Sequence, residues 1–172
     1  MKKVRVPTLL VLLSLLTISA LLAQNVRGVA SAHLRSYEEV PALSTPGTGD
    51  FVATINAAGT EMNYQLRFSN LQGKVLQSHI HFGQKSVNGG IMIFLCSNLG
   101  NGPAGTQACP ADGGTISGVI QAANVTGNAQ GIAPGELFEI IQGLRGGVTY
   151  VNVHTDLFPG GEIRGQLQFS RH

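Results

Sequence analysis

The chain of 172 residues contains no tryptophan, only two cysteines, and few charges, with Asp, Glu, Lys and Arg making up 12% of it. Two cysteines allow one disulfide at most, so a fold of this size must rest on a buried core rather than on staples. The formal charge of +2 belongs to the N-terminus. Without Lys2, Lys3, Arg5 and Arg27, the chain from Ser31 onward carries seven basic and nine acidic residues, a net charge of −2. No basic stripe remains to follow a phosphate backbone, which excludes nucleic acid as a partner. Equally absent are a Gly-x-Ser-x-Gly elbow, a phosphate-cradling Gly-x-x-x-x-Gly-Lys loop and a His-Glu-x-x-His helix, so nothing supports a hydrolase.

What is present begins with an export signal. Lys2, Lys3 and Arg5 precede an uncharged apolar run from Leu9 to Leu22, the arrangement of a secretory leader. At about 14 residues this run is short of the roughly 20 that span a bilayer, so removal is favoured over anchoring. Ala30-Ser31-Ala32 fits the small-residue rule for cleavage better than the stretch ending at Ala23. The chain therefore divides into a leader or anchor, residues 1–30, and one domain, residues 31–172. Export places the domain in the periplasm, at the cell surface or outside the cell, with membrane attachment only where the leader is retained.

Twenty-three glycines separating short apolar segments predict an all-β domain. Strands are expected over 32–40, 51–56, 61–69, 76–82, 91–95, 115–120, 148–155 and 162–169. Met62, Tyr64, Leu66 and Phe68 alternate with Asn63, Gln65 and Arg67, so one face of that strand joins the core and the other is wet. One segment departs from period two. Leu137, Ile140, Ile141 and Leu144 repeat at helical spacing after Pro134, which predicts a short helix over 134–142 closing one end of the domain, with Glu136 and Glu139 facing solvent. In an exported chain, Cys96 and Cys109 are expected to form a disulfide closing the glycine-rich loop between them, a thiolate-ligand role being the weaker alternative.

The chemistry-bearing feature is a pair of histidines one residue apart, His79 and His81 in Ser-His-Ile-His-Phe-Gly, with a third, His154, in the later run Tyr-Val-Asn-Val-His-Thr. Residues i and i+2 of a strand share a face. If the strand bearing His154 lies against them, three neutral imidazoles converge, a set suited to copper or zinc with one position left open. The alternative is that these histidines only hydrogen-bond neighbouring loops. Nearby, Asp156 and Glu162 could orient a metal-bound imidazole, and Arg164 could attract a small anion. Glu162 and Arg164, two residues apart on one strand, could instead pair with each other.

Several stretches together resemble the CHRD, or chordin-type, domain family across roughly residues 31–170. They are Glu-Glu-Val-Pro at 38–41, Asn-Tyr-Gln-Leu at 63–66, Ser-His-Ile-His-Phe-Gly at 78–83, and Tyr-Val-Asn-Val-His-Thr at 150–155 leading to Pro-Gly-Gly-Glu-Ile-Arg-Gly-Gln-Leu at 159–167. The resemblance implies a secreted β-rich module of a kind found in bacterial proteins and in animal antagonists of bone morphogenetic proteins, and it implies no particular activity. The His-x-His pair is also similar to the copper motif of the copper/zinc superoxide dismutases. That second resemblance implies a Greek-key β-sandwich, His79, His81 and His154 as copper ligands, and Arg164 near the arginine that guides superoxide. No histidine lies between His81 and His154, so the bridging and zinc-binding histidines of the dismutases have no counterpart. The sequence thus predicts an exported, non-enzymatic binding or structural module at the cell envelope, with a three-histidine copper protein as the alternative. A polypeptide partner is a third reading, with no interface assignable from sequence.

Overall fold

Alternation decides the first half of the fold. In a computed structural model that describes residues 27–171, β1 (Gly28–Arg35), β2 (Thr48–Ile55) and β3 (Met62–Ser69) form an antiparallel meander. Met62, Tyr64, Leu66 and Phe68 are buried while Asn63, Gln65 and Arg67 are exposed. β1 ends earlier than the sequence suggests, at Arg35, because Ser36–Glu38 turn as a 3-10 helix ahead of Pro41. It also starts earlier. Gly28, Val29 and Ala30 pair with β2 and with the last strand, and Ala30 is fully buried. β1 thus begins three residues ahead of Ser31, and a cut after residue 30 would strip pairing partners from both neighbours. The rest of the expected leader, residues 1–26, lies outside the described residues.

The remaining strands are β4 (Val75–Phe82), β5 (Gly90–Ser97), β6 (Gly114–Ile120), β7 (Thr149–Thr155), β8 (Ile163–Gln166) and β9 (Gln168–Arg171). They join the meander in one antiparallel sheet ordered β5-β4-β7-β8-β1-β2-β3-β6, with β9 also on β1. The expected sandwich of two sheets is instead a single, nearly closed barrel-like sheet, because β8 pairs with both β7 and β1 and so connects the two halves. The final segment, expected as one strand, breaks at Leu167, whose N–H donates to the Thr149 carbonyl. Between the sheet's ends, the Gln107 Nε2 group donates to Tyr64 Oη, Leu95 O and Ser117 O, and Val125 bridges to Ile93. These contacts supply partners along edges that would otherwise be bare.

The one α-helix among the described residues, α1 (Leu137–Arg145), starts three residues later than its spacing suggests. Gly135 adopts φ +87°, a left-handed conformation incompatible with a first helical turn, so 134–136 form a turn and Glu136 is the N-cap. Leu137, Ile140, Ile141 and Leu144 are buried as expected, and Glu136 and Glu139 are exposed. Gly143 lies so close to the Phe82 ring that a Cβ would sit 2.2 Å from it, which sets how near α1 approaches the end of β4. Among the described residues no helix is long and apolar enough to cross a membrane.

Cys96 on β5 and Cys109 are joined in a disulfide, with 13 residues of sequence separation. It ties the loop bearing Gln107 to the strand whose edge Gln107 covers. Replacing both cysteines by alanine is expected to lower stability by about 2–3 kcal/mol, chiefly by freeing the unfolded chain. Urea denaturation checks this, and a change under ~0.5 kcal/mol would show that the loop is held by its hydrogen bonds alone.

Candidate metal centre

The three histidines meet because β4 pairs with β7 and not with its own hairpin partner alone. The register sets His81 opposite Tyr150, His79 opposite Asn152 and Gln77 opposite His154. His79 and His154 are thus diagonal neighbours on one face, within reach of each other's rings. Ser78, Ile80, Val151 and Val153 point the other way, and Ile80, Val151 and Val153 fill the core. The histidines therefore lie on the outer face of the barrel. They are buried all the same, because segments 83–89 and 156–162 fold over that face, and every residue of β7 is buried in consequence. One ring nitrogen from each of His79, His81 and His154 lies within 4.8 Å of the other two.

Hydrogen bonds determine which nitrogens are available. His154 Nδ1 lies 2.8 Å from the Pro159 carbonyl and His81 Nδ1 lies 3.0 Å from the Gly89 carbonyl. A carbonyl only accepts, so both rings carry their proton on Nδ1 and leave a lone pair on Nε2. His79 Nδ1 lies 3.2 Å from His154 Nε2. Since that Nε2 has no proton, His79 Nδ1 is the donor in the metal-free protein, and a metal at this nitrogen requires the His79 proton to shift to Nε2. The Nε2 atoms of His79 and His81 and the Oδ1 of Asn152 are buried without partners. Orphaned buried polar atoms are costly, and here they sit on one face beside three imidazoles.

Burial keeps all three rings neutral. It holds His79 at about 2 and His81 at about 4, and it lowers His154 below its ordinary value, with the proximity of the rings to one another adding to the effect at His79 and His81. Neutral imidazole is the metal-binding form. The set offers three nitrogens, no carboxylate and no thiolate, both cysteines being spent in the disulfide. Such a donor set suits copper or zinc, with copper favoured by the general order of affinities.

The charged residues singled out in the sequence have other duties. Asp156 accepts from the Lys74 N–H, and Glu162 accepts from the N–H groups of Gln72 and Gly73 and from Thr155 Oγ1. The groups that orient the imidazoles are the backbone carbonyls of Pro159 and Gly89. Glu162 does not pair with Arg164, and the two reach opposite loops. Arg164 is 2% exposed, donates to Asn88 Oδ1, Gln84 O and Val87 O, and stands 3.4 Å above the Tyr150 ring. Its guanidinium is committed to segment 83–89.

Glu39 escaped the sequence reading. It is 6% exposed, its Oε1 has no partner, and burial, offset in part by Arg164, raises its carboxyl to about 7. It packs against Gly161, where a Cβ would fall 2.4 Å from Oε1, and lines a cavity of about 230 Å³ with Pro41, Leu43, Phe158 and Pro159. Its place in Glu-Glu-Val-Pro gives no sign of this, since a glutamate beside another before a proline reads as a solvated turn.

Comparison with known proteins gives one finding. The CHRD domain family matches residues 30–167, nearly all of the barrel. No curated protein and no solved structure gives a match.

The buried groups make stability depend on pH in opposite senses. His81 is held below its unfolded value of 6.5, so its contribution is complete above pH 6.5 and lost as pH falls toward 4, on the order of 3 kcal/mol. Glu39 is held above its unfolded value of 4.5, so its contribution is complete below pH 4.5 and lost as pH rises through 7. For metal-free protein, thermal unfolding between pH 4 and 7 is expected to show His81→Gln flattening the acid loss of stability and Glu39→Gln steepening it. Parallel profiles for all three proteins would contradict both assignments.

Proposed function

The chain belongs to the CHRD domain family, and from that premise we propose that it is an exported binding module that holds one transition-metal ion, copper by preference, through His79, His81 and His154. The observation that carries this reading is the convergence of three buried, neutral imidazoles, one ring nitrogen of each lying within 4.8 Å of the other two. A purely structural histidine cluster satisfies its nitrogens; here the Nε2 of His81, one of the proposed ligand atoms, makes no hydrogen bond. His81 and His154 supply Nε2, fixed by their Nδ1 bonds to Gly89 and Pro159, and His79 supplies the Nδ1 that faces His154. A fourth position stays open for water or a small ligand.

The strand order, with β6 beside β3 and β7 beside β4, is read here as a Greek-key arrangement akin to that of the copper/zinc dismutases. The activity is not carried over. There is no bridging histidine to couple a second metal, and the arginine in the steering position is bound to a loop. Binding, storage or transfer of the metal at the cell envelope fits these features better than redox turnover. Export rests on the N-terminal leader, with cleavage placed ahead of Gly28 so that β1 keeps its partners.

The protein is to be expressed with its own leader under copper supplementation, purified from the exported fraction, and its N-terminus read by mass spectrometry. One copper per chain is expected, with a thermal midpoint that rises with copper, on the order of 4 kcal/mol of added stability at a thousandfold excess over Kd. The His79→Ala/His81→Ala variant is expected to carry none. Metal-free protein in both, with the fold intact, would overturn the reading and leave a binding module for another partner.

A further inference from the structure

Arg164 touches no imidazole, yet its contacts converge on the group that orients one of them. Its guanidinium donates to Asn88 Oδ1 at 3.1 Å, Gln84 O at 3.2 Å and Val87 O at 2.8 Å, three points on the segment that covers the histidines. That segment ends at Gly89, whose carbonyl accepts from His81 Nδ1 and whose N–H donates to Tyr150 Oη at 3.1 Å. The Tyr150 ring lies parallel to His81, with centroids 4.7 Å apart and planes 3° apart, and Arg164 covers its other face. Arginine, tyrosine and histidine thus form one stack, and the loop bonded to the arginine returns to the histidine. Gly89 passes so close to β4 that a Cβ there would fall 1.7 Å from the Phe82 carbonyl oxygen, so only glycine fits at this position.

We infer that Arg164 is a positioning residue for the metal site, holding segment 84–89 and Tyr150 so that His81 keeps its proton on Nδ1 and directs the Nε2 lone pair into the three-histidine group. This rests on the metal-binding reading for its consequence, but the effect on His81 stands apart from it. A planar fork is needed, because three acceptors and a ring face are engaged at once. Lysine offers the charge without the fork, so Arg164→Lys separates positioning from any long-range attraction of anions. Outer groups that orient a ligand typically change metal affinity by about 10- to 100-fold when removed.

The test compares the full exported protein with Arg164→Lys, Arg164→Met and Tyr150→Phe, the last keeping the stacked ring while removing the acceptor for Gly89. In the metal-free state, nitrogen–proton correlation spectra of the imidazoles report the tautomer of His81. Wild type is expected to be in the Nδ1–H form, and the arginine variants mixed, with Tyr150→Phe shifted the same way to a smaller degree. Copper titration is expected to give a Kd raised about tenfold or more in both arginine variants and an altered copper resonance spectrum. An unchanged His81 tautomer in folded Arg164→Lys and Arg164→Met would overturn the inference, as would a copper Kd within twofold of wild type. If the arginine variants do not fold, Tyr150→Phe decides by the same two readouts. If wild type binds no copper, the metal-binding reading fails, and the tautomer comparison still decides the role of Arg164.

Discussion

The antiparallel pairing of β4 with β7 is the constraint on which this molecule depends. It joins the β4–β5 pair to β7 and β8, and through its register it places His79 and His154 on a diagonal and His81 against Tyr150. A slip of one residue in either strand would turn its polar residues into the barrel and its core residues, Ile80 or Val151 and Val153, outward. The core contacts that stabilise the barrel and the geometry of the imidazole group are therefore enforced by the same ladder.

Burying polar groups on the outer face requires a cover whose own polar atoms are satisfied. Two loops supply it. Segment 83–89 is held by Arg164, by Gln166 Nε2 at the Gly83 carbonyl, and by Asn88 Nδ2 donating to the Val40 carbonyl. Segment 156–161 is held by Glu162 and Asp156 acting on the neighbouring 72–74 turn and on Thr155. Each loop contributes one carbonyl to one histidine. The charged residues near the site thus act chiefly on the covering loops, and the backbone of those loops acts on the imidazoles, which fixes their tautomers.

Much of the fold was legible where the pattern of burial is local. The alternation over 62–68 and the helical spacing of Leu137, Ile140, Ile141 and Leu144 reappear as buried faces. Errors fell at ends, where one backbone conformation overrides a pattern: Gly135 delays the helix, and the turn at Ser36–Glu38 shortens the first strand. The histidines stood out because spacing of two in a strand carries a meaning without any partner. Glu39 and the partners of Arg164 did not, since burial of a charged side chain depends on what folds over it.

By itself, then, the sequence determined an all-β domain with one helix, one disulfide, and a His-x-His pair presented on a single strand face. Those follow from periodicity and from residue chemistry, which act over a few positions of chain. Closure into a single sheet, the meeting of His154 with His79 and His81, and the use of Arg164 to hold a loop were decided only by tertiary structure. Each depends on residues distant in the chain, from His79 and His154, 75 positions apart, to Arg35 and Arg164 across the β1–β8 pairing, and such pairings are set by the register of strands and the packing of loops, which no local pattern encodes.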